Sequence, residues 1–301
     1  MNDALAAHDR RPRFATVALI VAIVAISFAA IFFKKAAPTN PLVASGIRLA
    51  LATLLLSPAL ARARRAGRLD GRVLRFAGLA GMFYALHFGS WVTSLTLTSV
   101  AASVTLVTAT PLLLALLGLV TGRDRPDGRL WIALAMSVVG VTVIGWHDLG
   151  LSRDALVGDG LAFLGAIAMA GYFALARRVG PDLDPLAFGG VAAGVGAVCL
   201  LGTAAVTGVS LVPASWESFG FIVLCTLVPQ LVGHTLLTWS LRHSRPMVVG
   251  LATVGEPVGA SALGWLWLGE RVAPIVALGS VITLLGVALA VTERRKPEAP
   301  R

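Results

Sequence analysis

Charged residues are scarce in this chain of 301 residues. Asp, Glu, Lys and Arg together make up 13% of it, about half of the share usual in soluble proteins, and apolar residues make up 57%. A soluble fold of this size cannot bury so much apolar surface, and disordered chains have the opposite composition. The composition therefore excludes both classes and indicates an integral membrane protein.

Cysteines are also rare, and a nucleotide-binding motif is missing. The two cysteines, Cys199 and Cys225, fall in apolar stretches and cannot form a disulfide framework or a cysteine metal cluster. The phosphate-binding motif Gly-x-x-x-x-Gly-Lys-Ser/Thr does not occur in the sequence. We therefore expect no metal, no cofactor and no ATP-driven step.

Long apolar runs dominate the sequence instead. Ten stretches have the roughly twenty residues that an α-helix needs to cross a bilayer. The predicted spans are 14–33, 41–60, 73–93, 99–121, 130–146, 157–176, 186–207, 217–240, 247–268 and 273–292. The connections between them are too short for a soluble catalytic domain, which argues against an enzyme.

Lysine and arginine concentrate on the cytoplasmic side of membrane proteins. With the N-terminus in the cytoplasm, twenty of the 25 lysines and arginines fall in cytoplasmic segments and four fall outside. This predicts a multi-pass protein of the cell (inner) membrane with both termini in the cytoplasm. The same distribution accounts for the net charge of +10 without nucleic-acid binding. The first apolar run lacks a small-residue cleavage site, so we expect an uncleaved first span.

The two halves share basic, histidine, tryptophan and proline residues at a nearly constant offset of 143 to 148 positions. The matched pairs are Lys34-Lys35 with Arg177-Arg178, Pro38 with Pro181, Pro41 with Pro185, His87 with His234, Trp91 with Trp239, and Pro111 with Pro257. Because five spans are an odd number, the second half must enter the membrane in the opposite direction. We predict an all-α integral membrane fold of ten transmembrane helices arranged as two inverted five-helix repeats.

This architecture divides the chain into five parts. They are a cytoplasmic tail 1–13, a first repeat 14–146, an external loop 147–156, a second repeat 157–292 and a cytoplasmic tail 293–301. Inverted repeats are typical of secondary transporters, which bind substrate near the membrane midplane between the two halves.

Four stretches carry a resemblance to a known family. They are Ser45-Gly-Ile-Arg48-Leu-Ala-Leu-Ala, Pro111-Leu-Leu-Leu-Ala-Leu, Gly233-His234-Thr-Leu-Leu-Thr-Trp239-Ser-Leu, and Gly255-Glu256-Pro257-Val258 with Leu268-Gly269-Glu270. By these motifs the chain resembles the drug/metabolite transporter superfamily, in its EamA branch of ten-span permeases. The YddG-like aromatic amino-acid exporters are the characterised members that it resembles most. The resemblance implies secondary export of small metabolites, amino acids above all. The first-half position that matches Glu256 is Thr110, so only one half carries the acid.

Glu256 and Arg48 are ionisable residues at membrane depth, where such groups are costly and usually functional. Glu256 lies roughly 15 Å into the ninth span. It could bind a proton or a substrate ammonium, or it could be a protonated structural residue that caps free carbonyls beside Pro257. Pro257 after it, like Pro111 in the first half, predicts a kinked or opened helix. Arg48 is either a ligand for a substrate carboxylate, a partner of Glu256, or a structural residue bonded to helix-end carbonyls.

Polar and aromatic residues in the third and eighth spans predict a substrate-binding site. Tyr84, His87 and Trp91 follow one another at helical spacing, as do Gln230 and His234, and Trp239 is assigned to the same site. Rings and imidazole or amide groups suit a ligand of amino-acid size. The alternative for each histidine is an interhelical hydrogen bond.

Other functions are compatible with parts of the sequence. An intramembrane enzyme would need a nucleophile next to His87 or His234. Members of the resembled superfamily also move nucleotide sugars, lipids or cationic drugs. As partners we expect a small-molecule substrate and the lipid bilayer, no nucleic acid, and a monomer or weak homodimer.

Overall fold

The computed structural model describes residues 13–98, 100–122, 127–146, 153–180, 184–244, 246–268 and 274–291. Within these ranges the chain is helical and contains no strand. The helices are α1 Arg13–Ala36, α2 Pro41–Arg65, α3 Gly71–Leu97, α4 Val100–Val107, α5 Thr110–Thr121, α6 Gly128–Trp146, α7 Arg153–Val179, α8 Pro185–Val206, α9 Trp216–Cys225, a π-helical segment Thr226–His234, α10 Thr235–Ser240, α11 Pro246–Thr253, α12 Glu256–Leu268 and α13 Pro274–Val291.

Five helical stretches are long and apolar enough to cross a membrane. They are Phe14–Ala36, Pro41–Arg65, Arg153–Val179, Pro185–Val206 and Trp216–Ser240. Shorter apolar helices cover 110–121, 128–140 and 277–289. Residues 1–12 and 293–301 of the predicted tails, most of the 147–156 connection, and Gly269 and Glu270 of the Leu-Gly-Glu motif lie outside the described residues.

The fourth predicted span consists of two helices with a break between them, and so does the ninth. α4 ends at Val107 and α5 begins at Thr110, while α11 ends at Thr253 and α12 begins at Glu256. Each break is a two-residue turn, and the proline follows at the second position of the new helix. Proline has no N–H to donate, and it is therefore well tolerated in the first turn of a helix.

The eighth predicted span changes its winding in the middle. Nine residues, Thr226–His234, form a π-helix between α9 and α10. Pro229 lies inside this segment, where it removes one backbone donor. A sequence pattern of α-helical period does not predict this change, because it assumes one winding throughout. π-helical turns in proteins often mark functional sites.

The second helix of each half begins and ends in the same way. The side-chain oxygens of Asn40 and Asp184 accept hydrogen bonds from backbone N–H groups at the starts of α2 and α8. The two helices are terminated by Gly67 and Gly208, whose φ angles are +68° and +72°. This left-handed conformation is easily reached only by glycine.

α2 and α8 pack against each other through matched contacts. A Cβ atom on Gly46 would stand 3.4 Å from Cβ of Leu200, and one on Gly190 would stand 3.3 Å from Cβ of Leu56. A shift of 144 positions takes Gly46 to Gly190 and Leu56 to Leu200. The second contact is therefore the first one with the two halves exchanged. The early part of each helix meets the late part of the other, so the two helices are antiparallel.

α6 and α13 repeat this arrangement. A Cβ atom on Gly140 would stand 2.6 Å from the carbonyl oxygen of Gly279, and one on Gly286 would stand 2.8 Å from that of Ala133. Both contacts are related by a shift of 146 positions. Equivalent helices that pack antiparallel in matched pairs are related by a twofold axis perpendicular to the helices. Glycine allows this close approach.

Two hydrophobic cores lie on either side of the broken segments. The larger one joins α1, α2, α3, α7, α8 and the π-helical segment, and the smaller one joins α5, α6 and α11. Leu114 of α5 and Val249 of α11 belong to the larger core, whereas their neighbours Ala115 and Val248 belong to the smaller one. The broken segments therefore connect the two cores, and the candidate site lies beside their breaks.

Candidate functional site

A cavity of about 30 Å³ lies between the two halves. This is the space of about one water molecule. It is bounded by α1, α3, α7, the end of the π-helical segment and both broken segments. The residues that line it are Ile26, Ala29, His87, Trp91, Val107, Thr108, Thr110, Met169, Phe173, His234, Leu237, Thr253 and Glu256. Four of the predicted site residues, His87, Trp91, His234 and Glu256, therefore meet at one cavity.

Both helix breaks open onto this cavity. Glu256 is half-buried at the first residue of α12, where the helix N-terminus favours negative charge. Its first-half counterpart, Thr110, directs its hydroxyl to backbone carbonyls, at 3.1 Å from Val107 and 3.4 Å from Ala166. The two halves thus place different chemistry at equivalent points. Among the described residues that line the cavity, Glu256 at the second break is the one with a carboxyl group that can bind a cation.

His87 is oriented by the backbone of α7. Its Nδ1 atom lies 2.9 Å from the carbonyl oxygen of Gly165. Because a carbonyl oxygen can only accept, Nδ1 carries the hydrogen, and in the neutral ring Nε2 is then an acceptor. The ring stacks on Trp91 with centroids 5.9 Å apart. His87 therefore joins α3 to α7 by a hydrogen bond and also lines the cavity. The interhelical bond and the binding role, which the sequence offered as alternatives, are compatible with each other.

His234 approaches the cavity from the second half. Its ring is edge-on to those of Tyr84 and Phe88, with centroids 5.7 and 5.5 Å apart. The Nδ1 atom is buried and has no hydrogen-bond partner among the described residues. His234 is the last residue of the π-helical segment, which sets the direction of its side chain. The imidazole is held by rings rather than by the interhelical hydrogen bond that its alternative role required.

Tyr84 and Gln230 lie one layer behind the cavity instead of lining it. Nε2 of Gln230 donates to the hydroxyl of Tyr84 at 3.3 Å, which joins α3 to the π-helical segment. The Tyr84 ring stacks on Tyr172, with centroids 4.4 Å apart, and the Tyr172 hydroxyl is 2.9 Å from that of Thr238. These residues support His234 from behind. Neither residue lines the cavity in this structure, and their role as direct substrate ligands stays a prediction.

Trp239 does not belong to the cavity. Its ring packs against His243, with centroids 4.3 Å apart, at the far end of α10. Five residues separate it from His234, and an α-helix turns by about 140° more than one full revolution over that distance. Trp239 matches Trp91 in the alignment of the two repeats, which suggested an equivalent role. In this structure Trp239 does not line the cavity, and its assignment to the site stays a prediction.

Arg48 lies close to the cavity but outside its lining. The side chain is completely buried in α2, with its Cζ atom 4.3 Å from the ring centre of Phe88 and 5.4 Å from that of Phe33. None of its three nitrogens has a hydrogen-bond partner among the described residues. It is therefore neither bonded to helix-end carbonyls nor paired with Glu256.

Sequence reasoning missed Phe88, Tyr172 and the threonines at the breaks. Phe88 contacts Arg48, His87 and His234, although it resembles any phenylalanine in an apolar span. The threonines could have been found, because Thr108 and Thr253 stand just before the repeated prolines at nearly matching positions. No group of three His, Cys, Asp or Glu side chains in the described ranges could hold a metal ion.

Comparison with known proteins supplies the family and the fold. The sequence model of the EamA-like transporter family matches residues 13–146 and again residues 156–292. The crystal structure of another protein aligns with 94% of this chain and 98% of its own chain. Its sequence identity is 18% and its TM-score is 0.71, which shows a shared fold alone. No curated protein matches the chain.

Proposed function

The chain belongs to the EamA-like transporter family, and we propose that it exports amino acids, neutral and aromatic ones among them, by alternating access around the central cavity. Membership of the family and the apolar helices make it a multi-pass membrane transporter. The proposal adds the substrate class, the inner membrane, ten spans in two inverted halves, and cytoplasmic termini.

Charge supports the inverted arrangement. Residues 62–75, which cover the connection after α2 and the helix ends beside it, carry six arginines. The equivalent residues around the connection after α8, 206–219, contain no lysine or arginine. Equivalent loops with such different charge belong on opposite sides of a membrane. The antiparallel packing of α2 with α8 and of α6 with α13 supports the same arrangement.

The position of the cavity is the observation that carries the proposal. It lies between two equivalent broken helices, one from each half, as substrate sites do in transporters built from inverted repeats. With room for about one water molecule, it is too small for an amino acid. The halves must therefore separate to admit substrate, and matched packing at α2–α8 and α6–α13 allows separation toward either side.

The lining supplies the chemistry that an amino acid needs. The Glu256 carboxyl has no hydrogen-bond donor among the described residues, so it is available to a substrate ammonium or a proton. His87 and Trp91 offer stacked rings to a side chain. The threonine hydroxyls at the breaks donate to backbone carbonyls, for example Thr253 to Gly250 at 2.7 Å, which favours a binding site over an enzyme nucleophile.

Solute counterflow in proteoliposomes tests the proposal. Liposomes loaded with one unlabelled amino acid are diluted into the same amino acid in radiolabelled form, for all twenty in turn. We expect transient accumulation with phenylalanine, tryptophan, threonine or methionine that excess unlabelled compound suppresses. Liposomes without protein are the control. Folded protein that accumulates none of the twenty would overturn the amino-acid assignment.

A further inference from the structure

Arg48 is a buried cation next to the central cavity, and no carboxylate among the described residues pairs with it. Its side chain has no exposed surface, and Nε, Nη1 and Nη2 are all unpaired among the described residues. Ser45, one helical turn earlier on α2, is equally buried, and its hydroxyl is also unpaired. A guanidinium stays charged inside a protein, and an unpaired buried charge is strongly unfavourable. Two unpaired donors on one helix face are suited to an anion.

Aromatic rings enclose the guanidinium. Phe88 and Phe33 face it at 4.3 and 5.4 Å, distances at which a ring attracts a cation. The Phe33 ring also contacts that of Trp91 at 5.9 Å, and the indole Nε1 is a further buried donor without a partner. The Cys225 thiol also lies beside the guanidinium. These contacts hold the arginine in place, and no carboxylate among the described residues is bonded to it.

Phe88 separates Arg48 from the cavity. The Phe88 ring contacts the guanidinium of Arg48 and also the rings of His87 and His234, whose centroids lie 4.6 and 5.5 Å from its own. Both histidines line the cavity, whereas Arg48 and Phe88 do not. Displacement of this single ring would join Arg48 to the space beside Glu256.

We propose that Arg48, with Ser45, binds the carboxylate of the transported substrate, and that the substrate displaces Phe88 to reach it. This inference rests on the proposed function and narrows it. Glu256 takes the ammonium and Arg48 takes the carboxylate, so the substrate is a zwitterionic α-amino acid rather than an amine or a cationic drug. Arg48 and Glu256 form no hydrogen bond or ion pair with each other in this structure. A zwitterion placed between them satisfies both.

Matched ligands test the proposal on the wild-type protein. Phenylalanine, phenylalaninamide and 2-phenylethylamine share the ring and the ammonium, but only phenylalanine has a carboxylate. Each competes against the amino acid that gives the strongest counterflow. We expect phenylalanine to compete at least about tenfold better than the other two, the factor for one hydrogen-bonded charge. Equal competition by all three would overturn the carboxylate site and leave transport itself established. Failure of counterflow for every amino acid would instead refute the proposed function.

Substitution of Arg48 gives a second, independent readout. Methionine has a similar length and no charge, so Arg48→Met should raise the melting temperature of the ligand-free protein while abolishing the preference for phenylalanine over its amide. A structural arginine would instead lower the melting temperature on removal. Arg48→Lys should keep part of the preference, since it keeps the charge. Arg64→Met, at an exposed position of the same helix, is the control and should change neither property.

Chloride distinguishes a substrate site from an inorganic-anion site. The melting temperature of the wild type and of Arg48→Met is measured in sodium chloride and in sodium gluconate. We expect phenylalanine to stabilise the wild type equally in both salts. Stabilisation by chloride that needs Arg48, with no difference between phenylalanine and its amide, would assign the site to chloride and overturn the proposal.

Discussion

Gly140 of α6 lies directly against Thr283 of α13, and the same contact recurs with the halves exchanged between Gly286 and Ser137. A side chain at Gly140 would meet backbone as well as side-chain atoms of α13, so it cannot be accommodated by a rotamer change. The helices would have to move apart, at a cost of about 1–3 kcal/mol for overpacking. Gly140→Ala and Gly286→Ala should therefore each lower the melting temperature.

The two substitutions should also be non-additive. Once the first has separated α6 from α13, the second meets less resistance, so the double variant should lose less than the sum. Gly202→Ala is the control, because nothing lies within 4 Å of its Cβ and alanine favours the helix. Thermal unfolding in detergent measures all four variants. Additive losses would indicate that the two contacts are independent.

Cysteine labelling from one side of the membrane tests the inverted topology. Single cysteines replace Ala66 after α2 and Val212 after α8, two exposed and equivalent connections, in a background without Cys199 and Cys225. An impermeant maleimide added outside intact cells should label the cysteine at 212 and spare the one at 66 until the cells are opened. Labelling of both positions from outside would contradict the inverted arrangement.

Glu256→Gln should abolish counterflow or remove its dependence on pH, while the protein still inserts and folds. Glutamine keeps the shape of the side chain but loses the negative charge, and the described residues offer no second carboxyl at the cavity. Glu217→Gln, at an exposed position of α9, is the matched control and should transport normally. Normal counterflow with an unchanged pH profile would return Glu256 to a structural role beside Pro257.

His87→Ala and His234→Ala should each raise the half-saturating substrate concentration about tenfold, the loss of roughly one hydrogen bond to a charged group. His87→Ala should also reduce stability by about 1 kcal/mol, because the bond to the Gly165 carbonyl is lost. His243→Ala, which changes a histidine outside the cavity, should leave binding intact. If both cavity variants alter only thermal stability, the histidines serve packing alone.

The positions of the apolar helices could be predicted from the sequence, because a helix that crosses a bilayer needs about twenty mostly apolar residues. The breaks in the fourth and ninth predicted spans were foreseeable for a similar reason, since Pro111 and Pro257 cannot donate a backbone hydrogen bond. The π-helical winding around Pro229 was not, because a proline can be accommodated by a kink, a break or a wider turn. Only the packing of α1 and α2 around the segment distinguishes these outcomes.

The site was harder to predict, because in a membrane protein apolar residues face both lipid and interior. Glu256 and Arg48 could be selected since their charge is costly anywhere in a span. Phe88 and Tyr172 could not, as nothing in the pattern shows which way a helix is rotated about its axis. That rotation is set by glycine contacts between segments far apart in the chain, such as Gly165 against Trp91.

Substrate protection of the cavity tests the central claim most directly. Thr108→Cys and Thr253→Cys each place one thiol in the cavity, one from each half, in the background without native cysteines. The alkylation rate of each thiol by N-ethylmaleimide is measured with and without the amino acid that gives the strongest counterflow, with Val212→Cys as the control. We predict that the amino acid slows alkylation at both cavity positions and leaves position 212 unchanged. Unchanged rates at 108 and 253 under saturating amino acid would contradict the cavity as the substrate site.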